Sequence, residues 1–156
     1  MTTTILWIHA TAGALWIGAC ACFMIAGLAL TPGSDEHRNF VVRSAPQIDR
    51  LAMLAAGVLF LTGLLNLAQA EIARQFALSA FSHEFITVLA IKIMLFIAMV
   101  SVMHSSMRIG SAIRTVIEHG TTDALPSALN RMVKAHAAVV AMGSIALLLG
   151  LWLIGS

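Results

Sequence analysis

The sequence predicts an all-α fold, a bundle of four transmembrane helices that forms one integral membrane domain over residues 1–156. Two observations carry this. Hydrophobic residues make up 60% of the chain and charged residues 10%, against about 25% charge in an ordinary soluble domain; the mean hydropathy is +0.94. The apolar residues also gather into four runs, about residues 5–30, 49–70, 85–107 and 132–154, each near the ~20 residues a helix needs to cross a ~30 Å hydrocarbon core. Alternating strands of a membrane barrel are absent, and lipid tolerates no other spanning backbone. A net charge of +2 gives no reason to expect a nucleic-acid partner.

The first run has no Lys or Arg before it and stays apolar through Leu30. An uncleaved span is therefore expected, although Ala19-Cys20-Ala21 looks like a cleavage site and Ile17-Gly18-Ala19-Cys20 like a lipoprotein box. Pro32-Gly33 stops this helix, and Ser34 followed by Asp35 and Glu36 predicts a short capped helix before Ser44-Ala45-Pro46 opens the second span. Between Gln69 and Glu84 a short interfacial helix is expected. The third helix should run past the membrane to Glu118, because Ile109, Ile113 and Ile117 keep a helical stripe, with Gly120 ending it and Thr121-Thr122-Asp123 capping the fourth. The third and fourth helices then form a hairpin that projects into the cytoplasm.

Basic residues sort by connection. Arg38, Arg43 and Arg50 fall in the first, Arg108, Arg114, Arg131 and Lys134 in the third, and only Arg74 in the second. The positive-inside rule makes the first and third connections cytoplasmic and puts both termini on the outer, periplasmic side. Trp7 and Trp152 then meet the outer interface, where indoles favour the headgroups. The expected location is multi-pass in the inner membrane of a bacterium.

Within the spans His9, Asn66, Lys92, His104 and His136 need a reason to be in lipid. Lys92 stands ~10 Å inside the outer edge, where a Lys costs ~2.5–3.5 kcal/mol near the bilayer centre. It either snorkels to the headgroups or faces inward toward an anionic ligand group, and no carboxylate of a span is expected to pair with it. Every other charge is expected in a connection or at a span edge. His9 shares the outer half with Lys92, either as a hydrogen-bonded structural imidazole or as a ligand, and Gly13 and Gly27 on its side allow a flat macrocycle or close helix packing. His104 and His136 fall at one depth near the cytoplasmic edge on neighbouring helices, with Gly143 along the His136 face leaving space. Such a pair either meets interfacial water or holds haem iron from two sides. Met99, Met103 and Met107 recur along one face beside His104, and Met132 precedes His136 by one turn. Thioethers with imidazole suit Cu(I), while Met also fills irregular cores. Cys20 and Cys22 point to nearly opposite sides of a helix and cannot share a disulfide. His37, His83 and His119 lie in connections, where solvation is expected.

The run Trp7-Ile8-His9-Ala10-Thr11-Ala12-Gly13-Ala14-Leu15-Trp16-Ile17-Gly18 resembles the opening helix of the CopD-like (copper-resistance D) membrane proteins and of the related HemJ-like protoporphyrinogen oxidases. The likeness continues in Arg50-Leu51, in Thr62-Gly63-Leu64-Leu65-Asn66, and in the Lys-bearing run Ile91 to Met99. The resemblance implies a four-helix core, a b-type haem as in the HemJ-like branch, and functional weight on His9, Arg50 and Lys92; His136 lies outside the shared pattern. It also associates the chain with copper.

Together these readings predict a membrane protein that binds haem b and works in redox chemistry, by electron transfer or porphyrinogen oxidation. His9, His104 and His136 are the candidate iron ligands, and Lys92 or Arg50 pairs with the propionates. Whether the chain is an enzyme stays open between a protoporphyrinogen oxidase-like and a cytochrome b-like oxidoreductase. The alternatives are Cu(I) transport or copper resistance through Met99, Met103 and Met107, and a structural accessory subunit of a respiratory membrane complex. Expected partners are the lipid bilayer, a redox protein or a quinone, and further copies of the chain or a larger complex.

Overall fold

A computed structural model describes residues 2–31, 34–77, 82–119 and 125–155. They form four helices, α1 (Thr2–Ala29), α2 (Asp35–Ala77), α3 (His83–His119) and α4 (Leu125–Gly155). All four contain stretches long and apolar enough to cross a membrane. The helices alternate in direction and close a ring in which α1 packs on α2 and α4, and α3 on α4. The α2–α3 seam is the sparsest. The bundle thus has a terminal end, with both chain termini and the α2–α3 connection, and a hairpin end, with the other two connections.

Local chemistry sets the helix starts. Ser34 Oγ accepts the His37 backbone N–H at 3.1 Å, and Asp35 and Glu36 occupy the first turn of α2, where carboxylates meet the positive end of the helix dipole. Ser82 caps α3 in the same way, its Oγ accepting the Phe85 N–H at 3.1 Å. Pro126 sits in the first turn of α4, where its missing N–H costs no helical bond. Pro32, Gly33 and the expected stop and cap at residues 120–124 lie outside the described residues.

Two expectations about α2 are corrected. The short helix before Pro46 and the second span are one continuous helix, with Pro46 inside it. Proline removes one backbone bond, which a membrane helix survives when its neighbours hold it in place. The segment after Gln69 is likewise no separate interfacial helix, since α2 runs on through Ala77. α3 is continuous to His119, as its helical stripe predicts.

Each helix turns one stripe inward. On α1 it carries Ala12, Trp16, Cys20 and Phe23; on α2 it carries Val41, Ala45, Asp49, Ala52, Ala56 and Thr62. The 3–4 residue spacing keeps Ala12 to Phe23 and Val41 to Ala56 each on one face. The outward faces expose Leu, Ile and Trp, including Trp7 and Trp152 at the terminal end. Cys20 is buried and Cys22 exposed, and both are free thiols. Gly27 and Gly143 let α1 and α4 approach: a Cβ would fall 2.9 Å from Val133 Cγ2 at Gly27 and 2.6 Å from Ile17 Cγ1 at Gly143. Gly27 thus serves close helix packing, one of the two uses its spacing allowed, and the space expected at Gly143 on the His136 face is filled by Ile17.

Candidate functional site

In the terminal half, His9 of α1 is half-buried over Gly63 of α2, its Cε1 3.4 Å from where a Cβ there would stand. Its Nδ1 lies 2.9 Å from Thr62 Oγ1. Thr62 donates its own proton to the Val58 carbonyl at 2.6 Å, so Oγ1 can only accept from the imidazole. That assigns the proton of neutral His9 to Nδ1 and leaves a lone pair on Nε2. The arrangement has the hydrogen-bond support typical of a metal-ligating histidine.

Lys92 of α3 is half-buried. Its Nζ lies 3.0 Å from where a Cβ of Gly150 would stand, so the side chain lies against α4. No hydrogen bond or ion pair engages its ammonium among the described residues. One turn inward, Phe96 meets Trp16 edge-on, with centroids 5.9 Å apart, and stacks on Phe60 at 6.3 Å. His9 and Thr62 thus stand in the same half of the bundle as Lys92 and this aromatic group.

About 20 Å along α2 from Thr62 by helical rise, toward the hairpin end, lies a second polar centre. Asp49 of α2 and His136 of α4 are buried, 4% and 0% exposed, with Oδ1 and Nε2 3.4 Å apart. His136 Nδ1 is 2.8 Å from the Met132 carbonyl oxygen, which can only accept, so Nδ1 carries a proton. Nε2 then faces a carboxylate, and the contact is attractive only with another proton on Nε2 or on Asp49. Neither atom makes a well-directed hydrogen bond. Phe23 covers the imidazole, ring centroids 4.3 Å apart, while the buried Ser106 hydroxyl lacks a partner.

Asp49 also lines a cleft of about 260 Å³ on the α2–α3 seam, with Arg50, Ser111 and Met107 at its edge and Met132 behind.

The histidines and methionines do not gather as their spacing suggests. His104 is exposed on the outside of α3 while His136 is enclosed, and no hydrogen bond or ring contact joins them. The shared depth was readable from the sequence, but their rotation about each helix was not. Both His136 nitrogens face protein groups, so this ring offers iron no free lone pair without displacing Asp49. Met99 and Met103 are buried in the core, whereas Met107 opens on the cleft, so the three do not converge with His104. Arg50 is exposed at the cleft, and Asn66 is half-buried. His37 is buried rather than solvated, because α2 already begins at Asp35; His83 is exposed.

Sequence reasoning passed over Asp49 and treated Lys92 as the sole charge away from an edge. With Pro46 inside α2, Asp49 stands well within the helix. The available signal was the 3–4 residue spacing of Val41, Ala45, Asp49, Ala52 and Ala56, which sets a carboxylate on an apolar stripe.

No family model matches the chain, and neither curated proteins nor solved structures give a significant match.

Proposed function

We propose that this membrane protein holds haem b in the terminal half of its bundle and works in redox chemistry, with His9 as iron ligand and Lys92 as the cation for a propionate. The observation that carries the reading is the Thr62-fixed tautomer of His9, which leaves a lone pair on Nε2, in the same half of the bundle as an ammonium that has no anion of its own. Bound haem would supply one-electron chemistry. The chain's share is electrostatic and geometric. Thr62 orients the imidazole, Gly63 gives it room, and Lys92 contributes a fixed positive charge that favours the electron-rich state.

The distribution of basic residues supports an inner bacterial membrane with the termini in the periplasm, which puts His9 and Lys92 in the outer leaflet. Electrons would be exchanged with a redox protein or a quinone. Porphyrinogen oxidation would use the same groups, with Lys92 pairing a carboxylate of the substrate. The test is the reduced-minus-oxidised spectrum of the protein purified from its membrane: a Soret band with an α band is expected, and their absence overturns the reading.

A further inference from the structure

The core of the bundle is divided into two apolar clusters. The one toward the terminal end includes Ala52, Met103 and Val139, and the one toward the hairpin end includes Val41, Ile113 and Met132. Between them in register stand Asp49 on α2, Ser106 on α3 and His136 on α4, all buried. Three helices thus each send one polar residue to a single level of the core. Asp49 Oδ1, Ser106 Oγ and His136 Nε2 are all buried there without a hydrogen-bond partner. Such groups are destabilising, and apolar residues would join the two clusters without that cost. Three of them kept at one level inside a membrane bundle need a reason beyond packing.

The spacing of the pair selects its ligand. Oδ1 and Nε2 are 3.4 Å apart, less than two in-line hydrogen bonds of ~2.8 Å to a water would span. No third His, Cys, Asp or Glu among the described residues joins them to hold a metal ion, which takes at least three protein ligands. His136 Nδ1 already carries the proton it gives to Met132, so a lone pair on Nε2 would be set against a carboxylate oxygen. One proton on either atom turns that opposition into attraction. No neighbouring charge takes its place. At this level α1 brings Cys20 and α3 brings Ser106, while the nearby basic residues Arg50, Arg108, Arg131 and Lys134 are exposed. The other buried titratable residue, His37, stands ~18 Å from Asp49 along α2 by helical rise.

We propose that Asp49 and His136 form a proton-binding site inside the bundle, which holds one exchangeable proton between Oδ1 and Nε2. Uptake forms an N–H bond at Nε2 or an O–H bond at Oδ1, and takes the pair from one net negative charge to none. Transfer within the pair breaks one of these bonds and forms the other. Asp49 is the less enclosed partner, with 5% of its side chain exposed against none for His136, so exchange with the bulk runs through the carboxyl group. The site is separate from the haem site proposed at His9 and does not rest on it. The test is a ¹⁵N titration of the full chain in lipid nanodiscs from about pH 9 to about pH 5, with the His136 ring assigned through its own backbone signals. The wild type should keep its proton on Nδ1 throughout, while the Nε2 signal moves in one step from the lone-pair position toward the protonated one. Asp49→Asn keeps the shape and offers Nε2 a neutral N–H, so the step should vanish. The ring nitrogens report protonation whether or not haem binds at His9, so this result stands apart from the spectrum that tests the haem reading. An Nε2 signal that stays constant in the wild type, or one that titrates identically in Asp49→Asn, would overturn the proposal.

Discussion

Asp49 of α2 and His136 of α4 face each other inside the bundle, with Oδ1 and Nε2 3.4 Å apart and both residues enclosed. The contact joins helices that are diagonal in the ring, and it buries an acid against a base. Removing one member of such a pair leaves the other buried and uncompensated, which costs about 3–5 kcal/mol. Asp49→Leu and His136→Leu should each destabilise the bundle by that order. The double variant should cost less than the sum, because no charge is then stranded. Denaturant unfolding in mixed micelles measures all three, and additive losses would show that the residues do not act as a pair.

Close approach of α1 and α4 depends on Gly143, where a Cβ would stand 2.6 Å from Ile17 Cγ1. Gly143→Val should cost about 1–3 kcal/mol by overpacking. Ile17→Ala in the same chain should recover part of it, a compensation visible in the thermal unfolding midpoints.

Thr62 fixes the His9 tautomer by accepting from Nδ1. In ¹⁵N spectra of labelled protein free of bound cofactor, neutral His9 should carry its proton on Nδ1. Thr62→Val should erase that preference and cost about 1 kcal/mol, the value of a typical net hydrogen bond.

Ser34 caps α2 through the His37 N–H. Ser34→Ala should lower stability by about 0.5–2 kcal/mol, with the loss read in the unfolding midpoint, while Ser34→Asp should retain most of it.

The apolar runs made four helices legible because their lengths match a bilayer and lipid permits no alternative backbone. Helix boundaries were less legible. Pro46 reads as a start in water, where it breaks a helix, yet α2 carries it within the wall of the bundle. Depth was readable for the candidate site as well. His9 and Lys92 do share one half of the bundle, and His104 and His136 do fall toward the other end. Facing was not readable, because one residue of shift turns a helical side chain by about 100°; Met103 is wholly buried, while its neighbour His104 is exposed. Asp49 was obscured by its company, next to Arg50 and among the basic residues of a presumed connection. Only the continuity of α2 moves it from the edge to the core.

The central claim is that His9 is the residue that ligates haem. Haem content per chain, measured by the pyridine haemochrome of protein purified from cells with adequate haem supply, tests it across the wild type, His9→Ala and His104→Ala. Haem retained in the wild type and His104→Ala but lost in His9→Ala is the predicted result. Full haem content in His9→Ala would contradict the account.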